Sequence, residues 1–180
     1  NNANAGDIIK ISPETWLVLA SAEALHRLSF GLFDVAAPTR NSTETPEIRR
    51  PFNLLPDNKI ELNRQVTLTL GGIAKGYAVD KAVQLLRRAG ATSAIVNAGG
   101  DIRCFGETIF HIHVRDPLSR QSDARIIQLK NQAMSIASAH HGFTSLINPR
   151  TGKKIADQGA CIAIAGVAML SDVLTKVVAL

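Results

Sequence analysis

The chain has 180 residues, of which 46% are hydrophobic and 19% are charged, and its formal net charge is +5. This length and apolar content exclude a disordered polymer and are sufficient for one domain with a buried core. The positive charge favours anionic partners, but the basic residues are scattered without interleaved aromatic side chains, so nucleic acid is excluded as the expected partner.

The first part of the chain predicts a short strand followed by a helix. Residues 8–11 form an apolar strand candidate. Ser12 is a typical N-cap and Pro13 a typical first helical residue, so a helix is expected to begin here. Its core-facing side chains are expected to be Leu17, Ala20, Ala24 and Leu28. Asp34 follows in an apolar turn over residues 29–38, where its simplest role is to cap the next turn.

A polar segment separates this helix from the next predicted element. Residues 39–56 contain several prolines and predict a loop. Residues 60–70 then alternate apolar and polar side chains, which predicts a strand that runs into Gly71 and Gly72. An amphipathic helix follows, with a buried face expected at Ala74, Ala78, Ala82, Leu85 and Leu86.

Two similar stretches, residues 68–80 and 95–102, each predict a strand that ends in a Gly-Gly turn. Adjacent glycines permit positive φ angles and allow a ligand to approach the backbone closely. The helix after the first turn offers unpaired N–H groups and a positive dipole end, and Lys75 adds a cation there. The pattern predicts a nucleotide phosphate site, and the alternative is a tight turn with a solvated lysine.

The second half of the chain predicts mainly strands. Phe110, Ile112 and Val114 alternate with His111 and His113, so the two histidines share the opposite face of one strand. Such a pair could bind a metal, but a half-exposed strand face is the commoner arrangement. The remaining expected elements are strands at residues 92–96 and 161–165, a hairpin formed by residues 126–129 and 133–137, and a helix at residues 168–180.

The sequence offers only weak signals for a nucleophile or a thiol site. Ser138 with His140 or His141 could supply a nucleophile and a base, but the GxSxG motif is absent. Cys104 and Cys161 are far apart and lack the spacing of metal ligands. Neither group by itself supports a catalytic assignment.

The last predicted helix places three polar side chains on one side. Asp172 and Thr175 are three residues apart, and Asp172 and Lys176 are four apart. Oxygen atoms in this arrangement could bind Mg²⁺, which prefers oxygen ligands. An ordinary helical Asp–Lys pair is the simpler interpretation, and it contributes only a few tenths of a kcal/mol.

Six short motifs occur in a fixed order along the chain: SFGLFD (29–34), LGGIAKGYAVD (70–80), VNAGGDI (96–102), RDP (115–117), NPRTG (148–152) and AMLSD (168–172). In this order they resemble the ApbE family of FAD:protein FMN transferases, and the resemblance covers essentially the whole chain. It implies a mixed fold of α+β or α/β type, with residues 1–180 forming a single ApbE-like domain. The N-terminal part of the family domain is expected to be missing from this sequence.

The resemblance also implies an activity. Members of the family use Mg²⁺ to cleave FAD and attach FMN to a threonine or serine of a partner flavoprotein. The implied cofactors are therefore FAD and Mg²⁺, and the implied partner is a flavin-accepting protein. Family analogy places the protein in the bacterial cell envelope or periplasm, with membrane contact only through a leader outside this sequence.

Carried over by position, the resemblance implies three groups of site residues. Those expected to bind FAD are Leu32, Phe33, Asp34, Thr69, Gly71, Gly72, Lys75, Asp101 and Ile147. Those expected to bind the metal are Gly72, through its carbonyl, Asp172 and Thr175. Those expected to take part in catalysis are Lys75 and Ser145, which stands at the position of the family's histidine, and His141 or His140 could substitute for that histidine from the adjacent loop.

Four positions differ from the usual family pattern. Thr69 and Asn148 stand where Asp is usual, Ser145 replaces the histidine expected to act as base, and Lys176 replaces a metal-binding threonine. Serine cannot serve as such a base at neutral pH, and an ammonium would repel Mg²⁺ or contact the pyrophosphate in its place. The leading hypothesis is a Mg²⁺-dependent transferase. The alternative is a catalytically weakened FAD-binding protein that acts as a flavin carrier or interaction module, ahead of a plain phosphate-binding module.

Overall fold

The computed structural model of the chain describes residues 3–37, 50–114, 125–138, 147–151, 153 and 160–180. These residues form three helices and nine strands in a mixed α/β arrangement, as the sequence predicted. In chain order the elements are β1 (Ile8–Lys10), α1 (Pro13–Leu28), β2 (Phe52–Leu55), β3 (Lys59–Leu62), α2 (Ala74–Arg88), β4 (Ala94–Ala98), β5 (Asp101–Phe105), β6 (Phe110–Val114), β7 (Arg125–Leu129), β8 (Ala133–Ser138), β9 (Ala160–Ala165) and α3 (Ala168–Val178).

The chain divides into two compact units. The first lies within Asn1–Leu70 and Ile147–Lys154, and the second lies within Gly71–Leu146 and Ile155–Leu180. The expectation of one domain over residues 1–180 stays a prediction.

In the first unit, helix α1 begins where the sequence predicted. The Ser12 hydroxyl accepts a hydrogen bond from the Thr15 N–H at 3.1 Å, and Pro13 occupies the first turn. The predicted core face is wrong, because Leu17 and Leu28 are 43% and 75% exposed. The buried residues of this helix are Val18, Leu19 and Ala22. Since α1 is apolar around most of its circumference, periodicity did not single out the buried side.

The sheet of the first unit has the strand order β1-β3-β2, and both pairings are antiparallel. Strand β2 falls inside the loop predicted for residues 39–56, so that prediction is wrong at its C-terminal end; residues 38–49 lie outside the described part. Asp57 and Asn58 form the turn between β2 and β3 with φ angles of +59° and +56°. The Trp16 Nε1–H donates to the Leu55 carbonyl at 2.9 Å and ties α1 to β2.

The second unit contains a four-stranded sheet of order β4-β5-β8-β9 and a two-stranded sheet, β6-β7. Gly99 and Gly100 close the β4–β5 hairpin with φ angles of +62° and +95°, a conformation that favours glycine. The predicted second Gly-Gly turn is thus confirmed. Core contacts within the second unit join Ile102, Cys104, Val114, Leu129 and Met134.

Two predicted strand arrangements are wrong. The strand expected over residues 60–70 ends at Leu62, and no ladder includes residues 63–70. The first glycine turn is therefore not preceded by a strand. Strands β7 and β8 follow each other in the chain but do not form a hairpin, because β7 pairs with β6 and β8 lies between β5 and β9. Alternation identified these segments as strands but carried no information about their partners.

Strand β6 has the predicted alternation, with His111 and His113 exposed and the Phe110, Ile112 and Val114 side chains facing the core. No group of three or more His, Cys, Asp or Glu side chains able to hold a metal occurs among the described residues. Likewise, none of the described helices is both long and apolar enough to cross a bilayer.

Helices α2 and α3 pack on each other and on the four-stranded sheet. The predicted buried face of α2 is wrong, since Ala78 is exposed and Leu85 is 63% exposed. The buried residues are Gly76, Val79, Asp80 and Val83. This stripe has helical spacing, but a search for apolar side chains overlooks it because two of its four members are glycine and aspartate.

Gly76 permits the close approach of α2 and α3. A Cβ at this position would lie 2.5 Å from the Ala168 carbonyl oxygen and 2.6 Å from the Met169 Cα. Both neighbours are backbone atoms, so any larger side chain would force the helices apart.

Gly76→Ala is expected to lower the free energy of unfolding by about 2 kcal/mol through this overpacking. At an open helix site the same exchange raises the free energy of unfolding by roughly 1 kcal/mol, so the sign of the measured change distinguishes the two cases. Urea denaturation measures the change. Gly166→Ala is the matched control, because nothing lies within 4 Å of its added Cβ. Equal stability of the two variants would contradict the close-packing argument.

Candidate phosphate-binding site at the start of helix α2

Helices α2 and α3 cap each other's N-termini. Neither Ile73 nor Val167, the two N-cap residues, supplies a side-chain hydrogen bond. Instead, Asp80 of α2 accepts hydrogen bonds from the Ala168 and Met169 N–H groups at 2.8 and 2.9 Å. In return, Asp172 of α3 accepts one from the Gly76 N–H at 3.3 Å. The N–H groups of Gly76, Ala168 and Met169 therefore bond to an aspartate of the facing helix and not to a local cap.

Each capping aspartate is paired with a cation. The Arg103 guanidinium on β5 contacts the Asp80 carboxylate at 2.7 Å. The Lys176 ammonium contacts the Asp172 carboxylate within α3. All four side chains are largely buried. Such pairing offsets the large desolvation cost of burying a carboxylate.

The Lys176 ammonium also contacts the Thr175 hydroxyl at 3.1 Å. That hydroxyl donates its proton to the Asp172 carbonyl at 2.7 Å. Beside this group, the Ser135 and Ser171 hydroxyls hydrogen bond to each other at 2.8 Å. The buried polar side chains near the start of α3 thus form hydrogen bonds among themselves.

The two glycine-containing stretches meet through Lys75 and Asp101. Lys75 lies in the first turn of α2, and Asp101 directly follows the Gly99–Gly100 turn. The Lys75 ammonium contacts Asp101 Oδ2 at 2.5 Å. Asp101 is 1% exposed, whereas the Lys75 side chain is 45% exposed. A ligand can therefore reach the ammonium, while the carboxylate holds it in position.

The other carboxylate oxygen of Asp101 is unusual. Oδ1 is buried and has no hydrogen-bond partner within the part of the chain that the structure describes. A buried acceptor without a donor is unfavourable by about 1–3 kcal/mol. Because Asp101 is buried, the accessible part of this pair is the Lys75 ammonium, which marks a candidate binding position at the start of α2.

The residues predicted to line the flavin lie in the first unit. Leu32, Phe33 and Asp34 follow α1, and Phe33 is buried. Asp34 Oδ1 accepts from the Ala36 N–H at 2.8 Å, which confirms its predicted capping role. The Thr69 N–H donates to the Val35 carbonyl at 2.8 Å, which brings Thr69 to the same turn.

Ile147 is half-buried in the first unit. The neighbouring Asn148 accepts hydrogen bonds from the Arg150 and Thr151 N–H groups at 2.8 and 3.3 Å, so it begins a turn. No described contact tests the flavin-binding roles of Ile147 or of the residues after α1, and these roles stay predictions.

A cavity of about 320 Å³ lies beside the turn that follows α1. His26, Phe30, Asp34 and Arg50 are among its lining residues. His26 also bonds to the Phe33 carbonyl through Nδ1 at 2.8 Å, in keeping with a structural histidine. Asp34 is shared between this cavity and the predicted flavin-lining set, whereas Leu32 and Phe33 are not among the lining residues.

His140, His141 and Ser145 lie outside the described residues, and nothing is described for the Ser138 side chain. The nucleophile–base prediction and the catalytic roles of His141 and Ser145 therefore stay predictions.

The residues around Asp172 do not fit a divalent cation in this arrangement. Oδ1 of Asp172 binds the Lys176 ammonium and Oδ2 binds the Gly76 N–H. The Thr175 hydroxyl is also in contact with that ammonium. Gly72, the third predicted ligand, lies in the turn just before α2. Mg²⁺ needs several oxygen ligands that are free to bind it. Here the buried Lys176 ammonium already contacts the Asp172 and Thr175 oxygens of α3.

Cys161 lies close enough to Lys176 for the ammonium to influence its thiol. Burial raises the pKa of the Cys161 thiol, and the positive charge of Lys176 opposes that rise only in part. Cys161 and Cys104 are both free. Because a protonated thiol is a poor nucleophile and metal ligand, Cys161 is expected to be inert at neutral pH.

Sequence reasoning did not assign roles to Asp80 and Arg103. The spacing could have indicated that Asp80 is buried, because Asp80 follows Gly76 and Val79 at helical spacing and shares their buried face. An acid on such a face requires a partner. The identity of that partner, on a strand and on another helix, was not readable from spacing.

The fold is that of solved flavinyl transferases of the ApbE type. Flavinyl transferase ApbE from Pseudomonas stutzeri superposes with a TM-score of 0.81 at 19% identity, over 98% of this chain and 64% of that one. The ApbE protein from Thermotoga maritima gives 0.81 at 24% identity, over 96% of this chain and 67% of that one.

The chain belongs to the ApbE family, whose model matches residues 1–180. A FAD:protein FMN transferase from Haemophilus influenzae is 26% identical over 214 residues, which cover 97% of this chain. The match spans 62% of that relative, so this chain corresponds to about three fifths of its length.

Asp80→Asn is expected to lower the free energy of unfolding by about 3 kcal/mol, because it leaves the buried Arg103 without its counter-ion and weakens the cap of α3. Chemical denaturation measures the change. Glu107→Gln removes an equally direct ion pair with Lys130, but the Glu107 side chain is 94% exposed. We expect no measurable change for that control. A similar stability of Asp80→Asn and wild type would refute the capping role.

Proposed function

We propose that this chain binds FAD through its pyrophosphate at the start of α2 and acts as a FAD:protein FMN transferase. The acceptor would be a threonine or serine hydroxyl of a partner flavoprotein. Family membership and the relative from Haemophilus influenzae support this proposal. The observation that carries it is the Lys75–Asp101 pair, which holds an accessible ammonium at a helix N-terminus.

The charge at the start of α2 suits a diphosphate. Asp101 and Asp172 are each neutralised by a lysine, Lys75 and Lys176 respectively. What remains is the positive end of the helix dipole, equivalent to about half an elementary charge, and the first-turn N–H groups other than that of Gly76, which bonds to Asp172. An anion at this position therefore gains hydrogen bonds and meets no uncompensated carboxylate.

The same groups can support the transfer reaction. The acceptor hydroxyl oxygen forms a bond to the phosphorus of the FMN half, while the bridging P–O bond breaks and AMP leaves with the electron pair. Negative charge gathers on the departing phosphate, where the ammonium of Lys75 and the first-turn amides can stabilise it. The hydroxyl proton needs a base, for which His141 remains the candidate on this chain.

A second candidate function is FAD binding with weakened catalysis, as in a flavin carrier. The observation that favours it is the Lys176 ammonium on Asp172, which occupies the oxygens expected to hold Mg²⁺. A divalent cation would supply Lewis-acid stabilisation of the phosphates, and the present side-chain arrangement provides only a monovalent charge.

Lys75→Gln is expected to weaken FAD binding about tenfold, since it removes a charge-assisted contact to the diphosphate. Quenching of flavin fluorescence during titration measures the dissociation constant. Lys81→Gln removes the same charge from the same helix, where Lys81 lies over the Tyr77 ring at 5.4 Å. The control is expected to change affinity less than twofold, and equal losses in both variants would argue against a specific role for Lys75.

AMP release separates the two candidate functions. With FAD and a threonine-bearing acceptor protein, a transferase forms AMP in equal amount to the FMN attached to the acceptor, and chromatography with mass spectrometry measures both. Lys75→Gln is expected to slow this release at least tenfold. FAD binding without AMP release, with or without Mg²⁺, would favour the carrier, and absence of FAD binding would reject both functions.

A further inference from the structure

Lys176 stands out because it is a lysine with little access to solvent. The residue is 7% exposed, and its ammonium contacts both the Asp172 carboxylate and the Thr175 hydroxyl. A buried ammonium persists only where its hydrogen bonds and countercharge are supplied, and here one turn of α3 supplies them. Lys176 is thus part of a buried polar group with Asp172 and Thr175.

Both carboxylate oxygens of Asp172 already accept a hydrogen bond, and one of these bonds comes from a cation. Asp172 uses one carboxylate oxygen for Lys176 and the other for the Gly76 N–H. The Thr175 hydroxyl donates to the Asp172 carbonyl and contacts the ammonium. A divalent ion at Asp172 would have to displace the ammonium or lie against it, and both are unfavourable.

Without Lys176, the Asp172 carboxylate would oppose anion binding at α2. Its Oδ2 lies against the Gly76 N–H, in the first turn of the helix proposed to hold the diphosphate. A bare negative charge there would cancel the helix dipole and repel phosphate. The ammonium neutralises this carboxylate from within the fold, which is one task that a bound metal would otherwise perform.

We propose that Lys176 replaces a divalent cation in this chain, so that Asp172 binds no metal and flavin nucleotide binding is independent of Mg²⁺. The identity of the nucleotide rests on the proposed function, whereas the absence of a metal at Asp172 does not. The two parts are therefore tested separately.

The first test uses Mn²⁺ without flavin, followed through the electron paramagnetic resonance signal of the free ion. Wild type is expected to leave the signal unchanged, as is Lys81→Thr, which removes one positive charge elsewhere. Lys176→Thr is expected to take up one equivalent of Mn²⁺, and Mg²⁺ is expected to raise its melting temperature by several degrees while leaving that of wild type unchanged.

If Lys176→Thr does not fold, the Mn²⁺ measurement on wild type still tests whether Asp172 binds a metal. One equivalent of Mn²⁺ bound to wild type and lost in Asp172→Asn would overturn the proposal. An unchanged Mn²⁺ signal with wild type supports the absence of a metal at Asp172, whereas a folded Lys176→Thr variant that takes up no Mn²⁺ would overturn the role of Lys176.

The second test is FAD titration of wild type in excess EDTA and in excess Mg²⁺. The dissociation constants are expected to agree within twofold. A tenfold or greater loss of affinity in EDTA would overturn metal independence. If FAD binds under neither condition, the proposed function fails, while the Mn²⁺ measurement still decides whether Asp172 holds a metal.

Discussion

The reciprocal capping of α2 and α3 by Asp80 and Asp172 is the constraint on which the second unit depends. Both helices begin at apolar residues that cannot cap them, so their first N–H groups require acceptors from elsewhere. Each helix supplies an aspartate to the other, which fixes where the two helices lie along one another. Gly76 makes this possible, since a side chain there would collide with the backbone of α3.

The capping aspartates also determine the chemistry nearby. A buried carboxylate must be neutralised, and Arg103 and Lys176 perform this for Asp80 and Asp172. The two ion pairs differ in whether they can affect a bound anion. The Asp80 pair is wholly structural, because both of its oxygens bind the start of α3. The Asp172 pair adjoins the first turn of α2, where it influences how an anion is received.

The departures from the family pattern do not include the groups at the start of α2. The glycine turn at 99–100 and the Lys75–Asp101 pair keep a binding arrangement that suits phosphate. Lys176, in contrast, replaces a residue expected to bind the metal and supplies a fixed monovalent charge. Binding and catalysis can therefore change separately, because the first needs only charge and amide donors, whereas the second needs a base and stabilisation of the leaving phosphate.

Local sequence determined the elements whose signals are local. Ser12 and Pro13 marked the start of α1, Gly99 and Gly100 closed a hairpin, and the ordered motifs identified the family. The buried faces of both longer helices were mispredicted, for different reasons. Helix α1 is apolar on most sides, and the buried stripe of α2 contains Gly76 and Asp80.

Only the tertiary structure decided which residues meet. Lys75 and Asp101 are 26 positions apart, and Gly76 and Asp172 are 96 apart. No periodicity within one element encodes a hydrogen bond between two of them. The sequence by itself therefore determined that a glycine-containing turn with a lysine opens α2. The structure decided that a buried aspartate positions this lysine and that a second lysine already occupies the oxygens expected to bind a metal, because contacts over such separations form only when the chain is packed.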